Sequence, residues 1–575
     1  MEQSDLEQRV RELAGQWMNP PFDEATREEV RSMLEEGGEA LVDAFYTELE
    51  FGTGGLRGLM GAGTNRMNAY TVGQASQGLA RYILSQIPAH QASVAIAHDS
   101  RLNSPEFAQV AAEVFAAHGI RSYLYDGLRP TPQLSFTVRE LGCTAGIVLT
   151  ASHNPKEYNG YKVYWSDGGQ IVPPQDAGII QEVRAVALTD VKRAPQSDFI
   201  HRIGEALDEA FQSYVLGLRM DAGLIENGSD LKVVYTPLHG TGAVSVTPAL
   251  RAAGFRSVAV VPEQAEPDGT FPTVKSPNPE EGAALSAAIT LAQSIGAQLV
   301  MGTDPDSDRV GIAVRRPDGT FQLLNGNETG ALLVDYVLRG LESTGRMPKS
   351  PFVAKTIVTS EIMADLARVR GIEVVETLTG FKWIAAAIRE RSGKSEFVVG
   401  GEESYGYMIG DRVRDKDAVA SACLIAELAH ACGGDVLGEL RRIHQEVGAY
   451  QEALVSQTLQ GRAGKQAIDD RMEGFRSDPP RVIAGEDVIE LRDFRARSIR
   501  DLRTGETRPT SVPAANVVQF VTAQGAIVTA RPSGTEPKIK FYFSVKEPAS
   551  EARRDYDATM ERLLARVEAL KAAFV

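Results

Sequence analysis

One order of predicted elements occurs three times along this chain, and no other feature limits the fold as strongly. Each copy has an apolar strand, a helix that ends before a glycine, a second strand, a second helix, and a third strand that runs into a polar loop. The copies start near Ser93, Leu231 and Pro351, and their glycines are Gly119, Gly254 and Gly371. A glycine after a helix provides the left-handed residue that ends it, and strand–helix–strand units join parallel strands. The repeat therefore predicts three related α/β domains with mostly parallel sheets.

The two ends of the chain have other patterns. Residues 1–48 read as amphipathic helices, and Asp23 with Glu24 is typical of a helix start. From about residue 450, alternating strands, a hairpin signal at 503–505 and an amphipathic helix over 551–573 predict an α+β domain. We expect a helical extension (1–48), domain I (49–205), domain II (206–325), domain III (326–447) and domain IV (448–575), with a hinge near Gly448. Because the three polar loops leave the same end of their sheets, they are expected to line one central cleft.

The composition argues against several classes of partner and favours a cytoplasmic location. A net charge of −16 argues against nucleic acid or an anionic membrane as the partner. No apolar run approaches the roughly 20 residues that cross a membrane, and the first residues lack a signal-peptide pattern. The three cysteines form no framework, as in a reducing compartment. The acidic surface fits a monomer and a homodimer equally well. An anionic substrate would need a local basic pocket, for which the polar loops offer Lys162, Arg309, Lys382, Arg531, Lys538 and Lys540.

Residues 302–309 form an acidic loop after a predicted strand. Asp304, Asp306 and Asp308 can converge on one cation if this loop curls around it. Carboxylate oxygens without histidine or cysteine favour Mg²⁺ over zinc. An EF-hand is excluded because Arg309 stands where that loop needs glycine, and its twelfth position is not acidic. Arg309 is placed to meet a phosphate oxygen, and the alternative interpretation is a solvated acidic turn.

Ser152 lies in the loop 150–155, just after an apolar strand. Ligands of α/β enzymes bind at the carboxyl ends of such strands. No Gly-x-Ser-x-Gly elbow surrounds this serine, which disfavours acyl transfer. A phosphorylated Ser152 beside Mg²⁺ is the coherent alternative, because phosphoryl transfer asks mainly for positioning and charge neutralisation. A single serine here can also be a helix cap or a turn hydroxyl.

Lys162 follows ten residues later, beyond Tyr158-Asn159-Gly160. This Asn-Gly pair predicts a hairpin turn that folds Lys162 back toward Ser152. Lys162 is then a candidate for proton transfer, provided that neighbouring positive charge lowers its pKa. The alternative is a surface lysine of a strand.

Three further loops carry groups suited to a sugar phosphate. Glu402 and Ser404 offer an acceptor and a hydroxyl for sugar hydroxyls, although this segment can also be an exposed turn. One loop combines an arginine, which can bind an anion through two nitrogens, with two hydroxyls and an accessible backbone amide. These groups together suit phosphate, but they also occur in ordinary turns. Its members are Arg531, Ser533, Gly534 and Thr535. The glycine-rich residues 51–58 carry Arg57, and they either approach a phosphoserine or serve as a flexible connector.

Together, TASHNP, GTDPDSDR, GEESYG and RPSGTEPKIK resemble the phosphoserine, metal, sugar and phosphate loops of the α-D-phosphohexomutase superfamily, in that family's order. The resemblance covers roughly residues 50–545. FGTGGLRG and the chain length are most similar to the branch with bacterial phosphoglucomutases and phosphopentomutases. The resemblance implies three related α/β domains and a mobile α+β fourth domain around a cleft. It also implies phosphoserine at Ser152, and Mg²⁺ held by that residue with Asp304, Asp306 and Asp308.

The same resemblance suggests roles for other residues. Lys162 becomes the acid/base, while Arg57 and His153 support the phosphoserine region. Lys382 matches a catalytic-site lysine of phosphoglucomutases. Relatives that accept mannose and glucose alike often carry histidine where this chain has Phe381, so the second proton-transfer group is left unassigned. The Glu-Glu-Ser-Tyr spelling at 402–405 is the glucose type.

The implied reaction interconverts glucose 1-phosphate and glucose 6-phosphate. A phosphoserine enzyme and a 1,6-bisphosphate intermediate carry it, with glucose 1,6-bisphosphate as activator. Arg309 and the 531–535 loop are expected to bind substrate phosphate, and Glu402 with Ser404 to bind the sugar ring. The alternatives are a phosphopentomutase, a phosphomannomutase, a sugar-1,6-bisphosphate synthase, a metal-dependent phosphatase and a non-catalytic scaffold.

Overall fold

The computed structural model describes residues 3–52, 54–221, 223–459, 461–533 and 538–574. The chain divides into two compact units, and neither is one continuous segment. The first unit comprises Met1–Leu324 and Gly406–Gly434, and the second comprises Asn325–Tyr405 and Asp435–Val575. The division into an extension and four domains stays a prediction.

Helices occur throughout both units. Their bounds are α1 (Gln3–Gln16), α2 (Glu24–Glu36), α3 (Gly38–Phe45), α4 (Ala69–Gln86), α5 (Ser104–Ala117), α6 (Thr131–Glu140), α7 (Gln175–Arg184), α8 (Glu205–Gly217), α9 (Gly223–Asn227), α10 (Gly242–Ala252), α11 (Gly282–Ile295), α12 (Gly326–Ser343), α13 (Glu361–Arg368), α14 (Phe381–Arg391), α15 (Ala418–Ala431), α16 (Val436–Val447), α17 (Gly461–Ser477), α18 (Ala549–Arg554) and α19 (Tyr556–Phe574). Short 3-10 helices are found at Ala89–Gln91, Leu188–Asp190 and Pro262–Gln264.

Strands alternate with these helices up to about residue 409 and then dominate the C-terminal part. Their bounds are β1 (Gly55–Leu59), β2 (Ser93–His98), β3 (Arg121–Tyr125), β4 (Ala145–Leu149), β5 (Tyr158–Trp165), β6 (Ile200–Ile203), β7 (Ser229–Thr236), β8 (Phe255–Val260), β9 (Leu299–Thr303), β10 (Val310–Arg315), β11 (Phe321–Leu324), β12 (Pro351–Thr356), β13 (Glu373–Thr377), β14 (Glu396–Glu402), β15 (Gly406–Ile409), β16 (Ala449–Thr458), β17 (Val482–Ile483), β18 (Glu486–Asp493), β19 (Ser498–Asp501), β20 (Thr507–Pro509), β21 (Val518–Thr522), β22 (Ile527–Pro532) and β23 (Lys538–Glu547).

The predicted repeat is present as three sheets with one design. The first sheet has the order β1-β5-β4-β2-β3-β6, and the second has the order β11-β10-β9-β7-β8. In both, a central strand pairs in parallel with its two neighbours. The second unit repeats this parallel core as β13-β12-β14. The first two sheets are mixed, because β4 and β9 each return through a polar loop to an antiparallel strand. This confirms the three α/β domains and places two of the polar loops at strand ends.

The helix ends and the strand burial of the repeat agree with its sequence pattern. Gly119, Gly254 and Gly371 all have positive φ, as a left-handed helix end requires. The central strands β2 and β4 are buried along their whole length, since helices cover both faces of a parallel sheet. Their continuous apolar runs follow from this double burial.

The N-terminal helices α1–α3 pack on an aromatic cluster of the first unit. The rings of Trp17 and Phe22 stack with centroids 4.2 Å apart, and Phe45 and Tyr70 complete the cluster. Asp23 accepts a hydrogen bond from the backbone N of Thr26 at 2.9 Å, which caps α2. The predicted helix start at Asp23 is therefore confirmed.

The C-terminal part of the second unit is an antiparallel sheet with helices, as predicted for an α+β domain. Its strand order is β16-β23-β22-β21-β18-β19-β20, with β17 beside β18. The helices α17 and α19 cover it over a core that includes Met472, Phe541 and Leu563. The closing helix differs from its prediction, because it is divided at Asp555, whose backbone is extended.

In the part of the chain that the structure describes, no single helix is long and apolar enough to span a membrane. One helix pair, Ala418–Ala431 with Val436–Val447, meets that length and composition test only when its two members are taken together.

Candidate active site

Ser152 lies in the loop between β4 and β5 of the first unit. Its backbone is left-handed, with φ of 52°, a conformation that costs a non-glycine residue energy and clusters at functional sites. The side chain is buried, and its Oγ donates a hydrogen bond to Asp304 Oδ2 at 2.5 Å. His153 Nδ1 lies 3.2 Å from the same Oγ. The serine thus faces the acidic loop that follows β9.

Three buried carboxylates converge in that acidic loop. Asp304, Asp306 and Asp308 each offer an oxygen, and these atoms lie within 4.8 Å of one another. Oδ1 of Asp304 accepts hydrogen bonds from the backbone N atoms of Asp308 and Arg309, at 3.1 and 3.0 Å. The Oδ1 atoms of Asp306 and Asp308 are buried without a hydrogen-bond partner among the described residues. Hard oxygen donors left unpartnered in a buried cluster fit a divalent cation such as Mg²⁺.

Two lysines pair with these carboxylates. Lys162 Nζ lies 2.7 Å from Asp306 Oδ2 and 3.2 Å from Asp308 Oδ2. Lys416 Nζ lies 3.0 Å from Asp308 Oδ2 and 3.2 Å from Asp415 Oδ1. The two ammonium groups therefore contact Asp306 and Asp308, while Asp304, the third carboxylate, accepts from the Ser152 hydroxyl.

The pKa of Lys162 departs from the predicted direction. Burial by itself lowers this pKa, but the Asp306 and Asp308 carboxylates outweigh it and raise the pKa. Lys416 supplies the expected neighbouring positive charge, yet its effect is smaller than that of the carboxylates. Proton loss from Lys162 therefore requires that the carboxylate charge be neutralised.

The carboxylates themselves differ in pKa. Burial, with the charges of Asp306 and Asp308, raises the pKa of Asp304 well above its usual range. Burial acts in the same sense on Asp308, but the Lys416 and Lys162 ammonium groups outweigh it and hold the Asp308 pKa well below its usual range. At Asp304, the neighbouring positive charge does not offset burial and the charges of the two other carboxylates.

The predicted turn between Ser152 and Lys162 is wrong. Asn159 and Gly160 lie inside β5, where they pair with Gly58 and Arg57 of β1. Asn159 is buried, and its Nδ2 donates to Leu102 O at 3.0 Å, so interior partners override the turn preference of Asn-Gly. The chain turns back earlier, in the loop that carries Ser152, and β5 then brings Lys162 beside the acidic loop.

Basic groups surround the serine loop. Arg57, on β1, donates from Nη1 to Asn154 Oδ1 at 3.3 Å. Arg309 forms an ion pair with Glu280. Burial and the positive charges of Arg309 and Arg57 lower the pKa of His153 well below its usual range. His153 is therefore neutral near Ser152 and contributes a hydrogen bond rather than a charge.

Two residues of this site were missed in the sequence. Lys416 stands in Asp-Lys-Asp after β15, just before an apolar helix. These two acidic neighbours are the only feature of the local sequence that points to a role for this lysine. Thr131 begins α6, and its Oγ1 donates to Asp306 Oδ2 at 2.8 Å. A hydroxyl at a helix start reads as an ordinary cap, so the sequence does not separate this contact from a structural one.

In the second unit, Glu402 ends β14 and is buried. Its Oε1 accepts from the backbone N of Gly380 at 2.7 Å. Its neighbour Glu403 accepts from Thr359 Oγ1 at 3.1 Å, and burial together with the Glu402 charge raises the Glu403 pKa to about 7. Ser404 follows, half-buried in the same loop. A turn does form at 403–405, but it is partly buried, so the alternative of an exposed turn does not describe this segment.

Lys382 and Phe381 begin α14 in the second unit. The Lys382 Nζ lies 5.5 Å from the ring centroid of Trp383. Phe381 is buried in the interior, where a ring without a polar atom is favoured. Phe381 is thus a core residue in this chain.

Arg531 lies near the end of β22, opposite Lys540 of β23. Its Nη1 donates to Tyr542 Oη at 3.4 Å. The backbone N of Ser533 donates to Lys538 O at 2.7 Å, which closes the loop between the two strands. Gly534 and Thr535 of the predicted phosphate loop lie outside the described residues.

Comparisons with known proteins agree with this arrangement. Three family models match, described as phosphoglucomutase/phosphomannomutase alpha/beta/alpha domains I, II and III, over residues 48–190, 211–319 and 325–446. A phosphoglucomutase of Staphylococcus aureus is 38% identical over 532 residues, spanning 91% of this chain and 93% of that protein. One of Staphylococcus epidermidis is 40% identical over 512 residues, spanning 88% of this chain and 92% of that protein.

A solved structure shares the fold. A phosphoglucomutase/phosphomannomutase family protein from Burkholderia thailandensis has a TM-score of 0.64 at 20% identity, covering 92% of this chain and 98% of that one. The matched domains, the coverage of the two relatives and the shared fold lead to one assignment. The chain belongs to the phosphoglucomutase/phosphomannomutase family of phosphosugar mutases.

Proposed function

We propose that this chain interconverts glucose 1-phosphate and glucose 6-phosphate through a phosphorylated Ser152 and a glucose 1,6-bisphosphate intermediate. The observation that carries the proposal is the hydrogen bond from Ser152 Oγ to Asp304, at the edge of the carboxylate cluster. A hydroxyl placed beside a potential cation site, with two ammonium groups next to it, suits phosphoryl transfer better than any other use of a serine. The relatives named phosphoglucomutase support glucose as the sugar.

The proposed cofactor is Mg²⁺, held by Asp304, Asp306 and Asp308 together with the oxygen of Ser152. The Oδ1 atoms of Asp306 and Asp308, which accept no hydrogen bond among the described residues, support this choice. When bound, Mg²⁺ would neutralise phosphoryl oxygens and the carboxylate charges. It would thereby lessen the effect of these carboxylates on the pKa of the neighbouring lysines.

The transfer has two halves. First, the phosphorus–oxygen bond at phosphorylated Ser152 breaks while a bond to O6 of glucose 1-phosphate forms, which gives the bisphosphate. After the sugar has reversed its orientation, the O1 phosphoryl group returns to Ser152, and glucose 6-phosphate leaves. Free glucose 1,6-bisphosphate acts as activator because it phosphorylates a Ser152 that has lost its phosphoryl group. Ser152 is thus regenerated in each cycle, and atoms balance without another reactant.

Two lysines are proposed for the proton transfers. Lys162 takes the proton that the attacking hydroxyl loses in one half of the reaction. Lys416 is the corresponding candidate for the other half, since its Nζ contacts Asp308 from a second element, as Lys162 does. The second proton-transfer group, unassigned in the sequence, then comes from the segment after β15. Arg57, His153 and Arg309 are proposed to hold the phosphoserine loop and its phosphate.

The second unit is proposed to recognise the substrate. Arg531, Ser533, Gly534 and Thr535 would bind the phosphate that is not being transferred. Glu402 and Ser404 would bind sugar hydroxyls, for which the buried Glu402 carboxylate is suited. Lys382, at the start of α14, would add positive charge for the substrate.

A ³¹P NMR time course with Mg²⁺ and a trace of glucose 1,6-bisphosphate tests the proposal. Parallel reactions contain glucose 1-phosphate, mannose 1-phosphate or ribose 1-phosphate. We expect glucose 1-phosphate to be converted fastest, without free phosphate. Ser152→Ala should abolish conversion, whereas the exposed control Ser294→Ala, on α11, should retain it. Full turnover by Ser152→Ala would contradict the phosphoserine mechanism.

Other outcomes would identify the alternatives. Preferred conversion of ribose 1-phosphate or mannose 1-phosphate would keep the mechanism and change the substrate to that of a phosphopentomutase or a phosphomannomutase. A requirement for a stoichiometric phosphoryl donor would indicate a bisphosphate synthase, and release of inorganic phosphate would indicate a phosphatase.

A further inference from the structure

One buried side chain holds the backbone of the loop that carries Ser152. Arg101 has 1% of its surface exposed. Its Nη2 donates to Ser152 O at 2.6 Å and also to Asn154 O. Its Nη1 donates to Pro155 O and Tyr158 O, both at 2.9 Å. Four carbonyls of one loop thus converge on one guanidinium group.

The guanidinium group of Arg101 forms an ion pair with a buried carboxylate. Asp99 Oδ2 lies 3.3 Å from Arg101 Nε, and both side chains are fully buried. The same carboxylate accepts from Thr150 Oγ1 at 2.6 Å, and Thr150 Oγ1 accepts from the backbone N of Ser152 at 2.9 Å. Thr150 and Arg101 therefore bind the N–H and the C=O of Ser152, and Asp99 contacts both of these side chains.

A segment of the second repeat closes over this arginine. The guanidinium carbon of Arg101 lies 5.0 Å from the ring centroid of Phe271. Gly269 packs so tightly that an added Cβ would lie 2.5 Å from Leu102 N. Ser276 Oγ donates to His153 O at 3.1 Å. Residues 269–276 of the second repeat therefore pack against Arg101, its neighbour Leu102 and the backbone of the loop that Arg101 holds.

We propose that Arg101 is a positioning residue for phosphoryl transfer, which holds Ser152 in the left-handed conformation that directs its Oγ to Asp304. Arg101 contacts the backbone of the loop and not the reacting atoms. The expected effect on kcat rests on the proposed function, whereas the role of Arg101 in holding the loop does not. A guanidinium group is required because its planar fork presents five donors in fixed directions, whereas a lysine ammonium presents three donors around one point.

The kinetic test uses Arg101→Lys, which keeps the charge beside Asp99 but not the fork. A misplacement of about 1 Å costs roughly 100-fold in rate, so we expect kcat to fall by about 100-fold with KM nearly unchanged. The matched control is Arg129→Lys in the same unit, because Arg129 also forms a two-point ion pair, with the partly buried Asp208, but none of its hydrogen bonds to described residues reaches the Ser152 loop. Both variants should lose some thermal stability, and only Arg101→Lys should lose kcat. Equal kcat in the two variants would overturn the proposal.

A second variant covers the case in which Arg101→Lys does not fold. Thr150→Val removes the hydroxyl that links Asp99 to the Ser152 N–H, with little change in volume. The loss of one such hydrogen bond should lower kcat by about tenfold, and Thr150→Ser should restore it. A kcat for Thr150→Val that equals the wild-type value would count against the proposal.

A structural readout separates this inference from the proposed function. Hydrogen–deuterium exchange of the amides in residues 150–160 should be faster in Arg101→Lys than in the wild type, and unchanged in Arg129→Lys. This difference does not depend on any activity. If the wild type shows no mutase activity but the exchange difference is found, the proposed function fails and the positioning role stands. If exchange in this loop is the same in all three proteins, the positioning role fails.

Discussion

At the scale of single residues, the candidate site depends on contacts between groups far apart in the sequence. Asp304, Asp306 and Asp308 could be predicted together because they share one loop. Their contact with Ser152 could be expected from the shared end of the sheets and from the family resemblance, whereas spacing alone does not bring the two loops together. Lys416 was missed since its role arises only where its Nζ meets Asp308. Local sequence identifies chemical groups, but not their partners across the fold.

Removal of one carboxylate should separate metal binding from stability. Burial and the Asp306 and Asp308 charges raise the pKa of Asp304, so its ionised form is costly without a cation. We expect Asp304→Asn to raise Tm in the absence of metal by roughly 2–4 °C, as for about 1 kcal/mol. The same variant should lose the Tm increase that Mg²⁺ gives the wild type, which differential scanning calorimetry can measure. The exposed Asp318→Asn is the control, and it should keep the Mg²⁺ response.

Replacement of the second lysine tests its proposed role in proton transfer. Lys416→Gln should lower kcat by about 10²–10⁴-fold, the range found for general acid–base groups. The exposed Lys192→Gln should leave kcat unchanged. Steady-state kinetics with glucose 1-phosphate would show the effect, and wild-type kcat in Lys416→Gln would remove this lysine from the mechanism.

At the scale of elements, strand–loop–strand units carry the site. The polar loops of all three repeats contain one left-handed residue that is not glycine: Ser152, Ser307 and Tyr405. The succession of strands and helices and the helix ends could be predicted, because apolar periodicity and glycine positions determine them locally. The direction of β5 could not, because the burial of Asn159 depends on partners outside its own segment. Turn preference is weaker than a full set of sheet and side-chain hydrogen bonds.

Gly160 tests the packing that brings Lys162 to the acidic loop. A Cβ on Gly160 would lie 2.5 Å from Thr150 O and 2.9 Å from Leu56 O, so neighbouring backbone would have to move. We expect Gly160→Ala to destabilise the protein by about 1–3 kcal/mol, as overpacked cores do, and to lower Tm. Gly217→Ala, at the end of α8, is the control, because nothing lies within 4 Å of its added Cβ. Equal Tm values for the two variants would contradict this account of β5.

At the scale of the whole molecule, the second unit joins an α/β sheet to an antiparallel sheet. Gln519 Nε2 donates to Ile357 O at 2.6 Å across this junction. A small apolar cluster that includes Leu378 and Phe494 lies beside it. Ser360, at the start of α13, donates to the carboxyl group of Glu452 on β16. The predicted fold class could be read from the sequence, whereas this junction could not, because its contacts join segments with no common pattern.

The buried carboxyl group of Glu452 makes stability depend on pH. Burial raises the pKa of Glu452 from 4.5 to about 7, so the folded protein binds a proton more tightly than the unfolded chain. Its contribution is therefore complete below pH 4.5 and is lost as pH rises through 7. Glu452→Gln keeps an acceptor for Ser360 and should reduce the loss of stability between pH 5 and pH 8 by roughly 2 kcal/mol. Calorimetric Tm values across this range would measure it, with the exposed Glu473→Gln as control; identical pH profiles for wild type and Glu452→Gln would disprove the assignment.

The discontinuous first unit has a consequence for synthesis on the ribosome. Residues 406–434 return to this unit after the chain has entered the second one, and they bring both α15 and Lys416. The last strand of the earlier part ends at Leu324, so the segment up to Gly434 follows it by 110 residues, 434 minus 324. At about 5–20 residues per second, this takes roughly 6–22 s of translation. During that interval the acidic loop lacks the Lys416 ammonium group. The helix α15 has also not yet been made, so α10 lacks the helix that packs on it in the folded protein. A nascent chain stalled in this window should therefore be a substrate for chaperones.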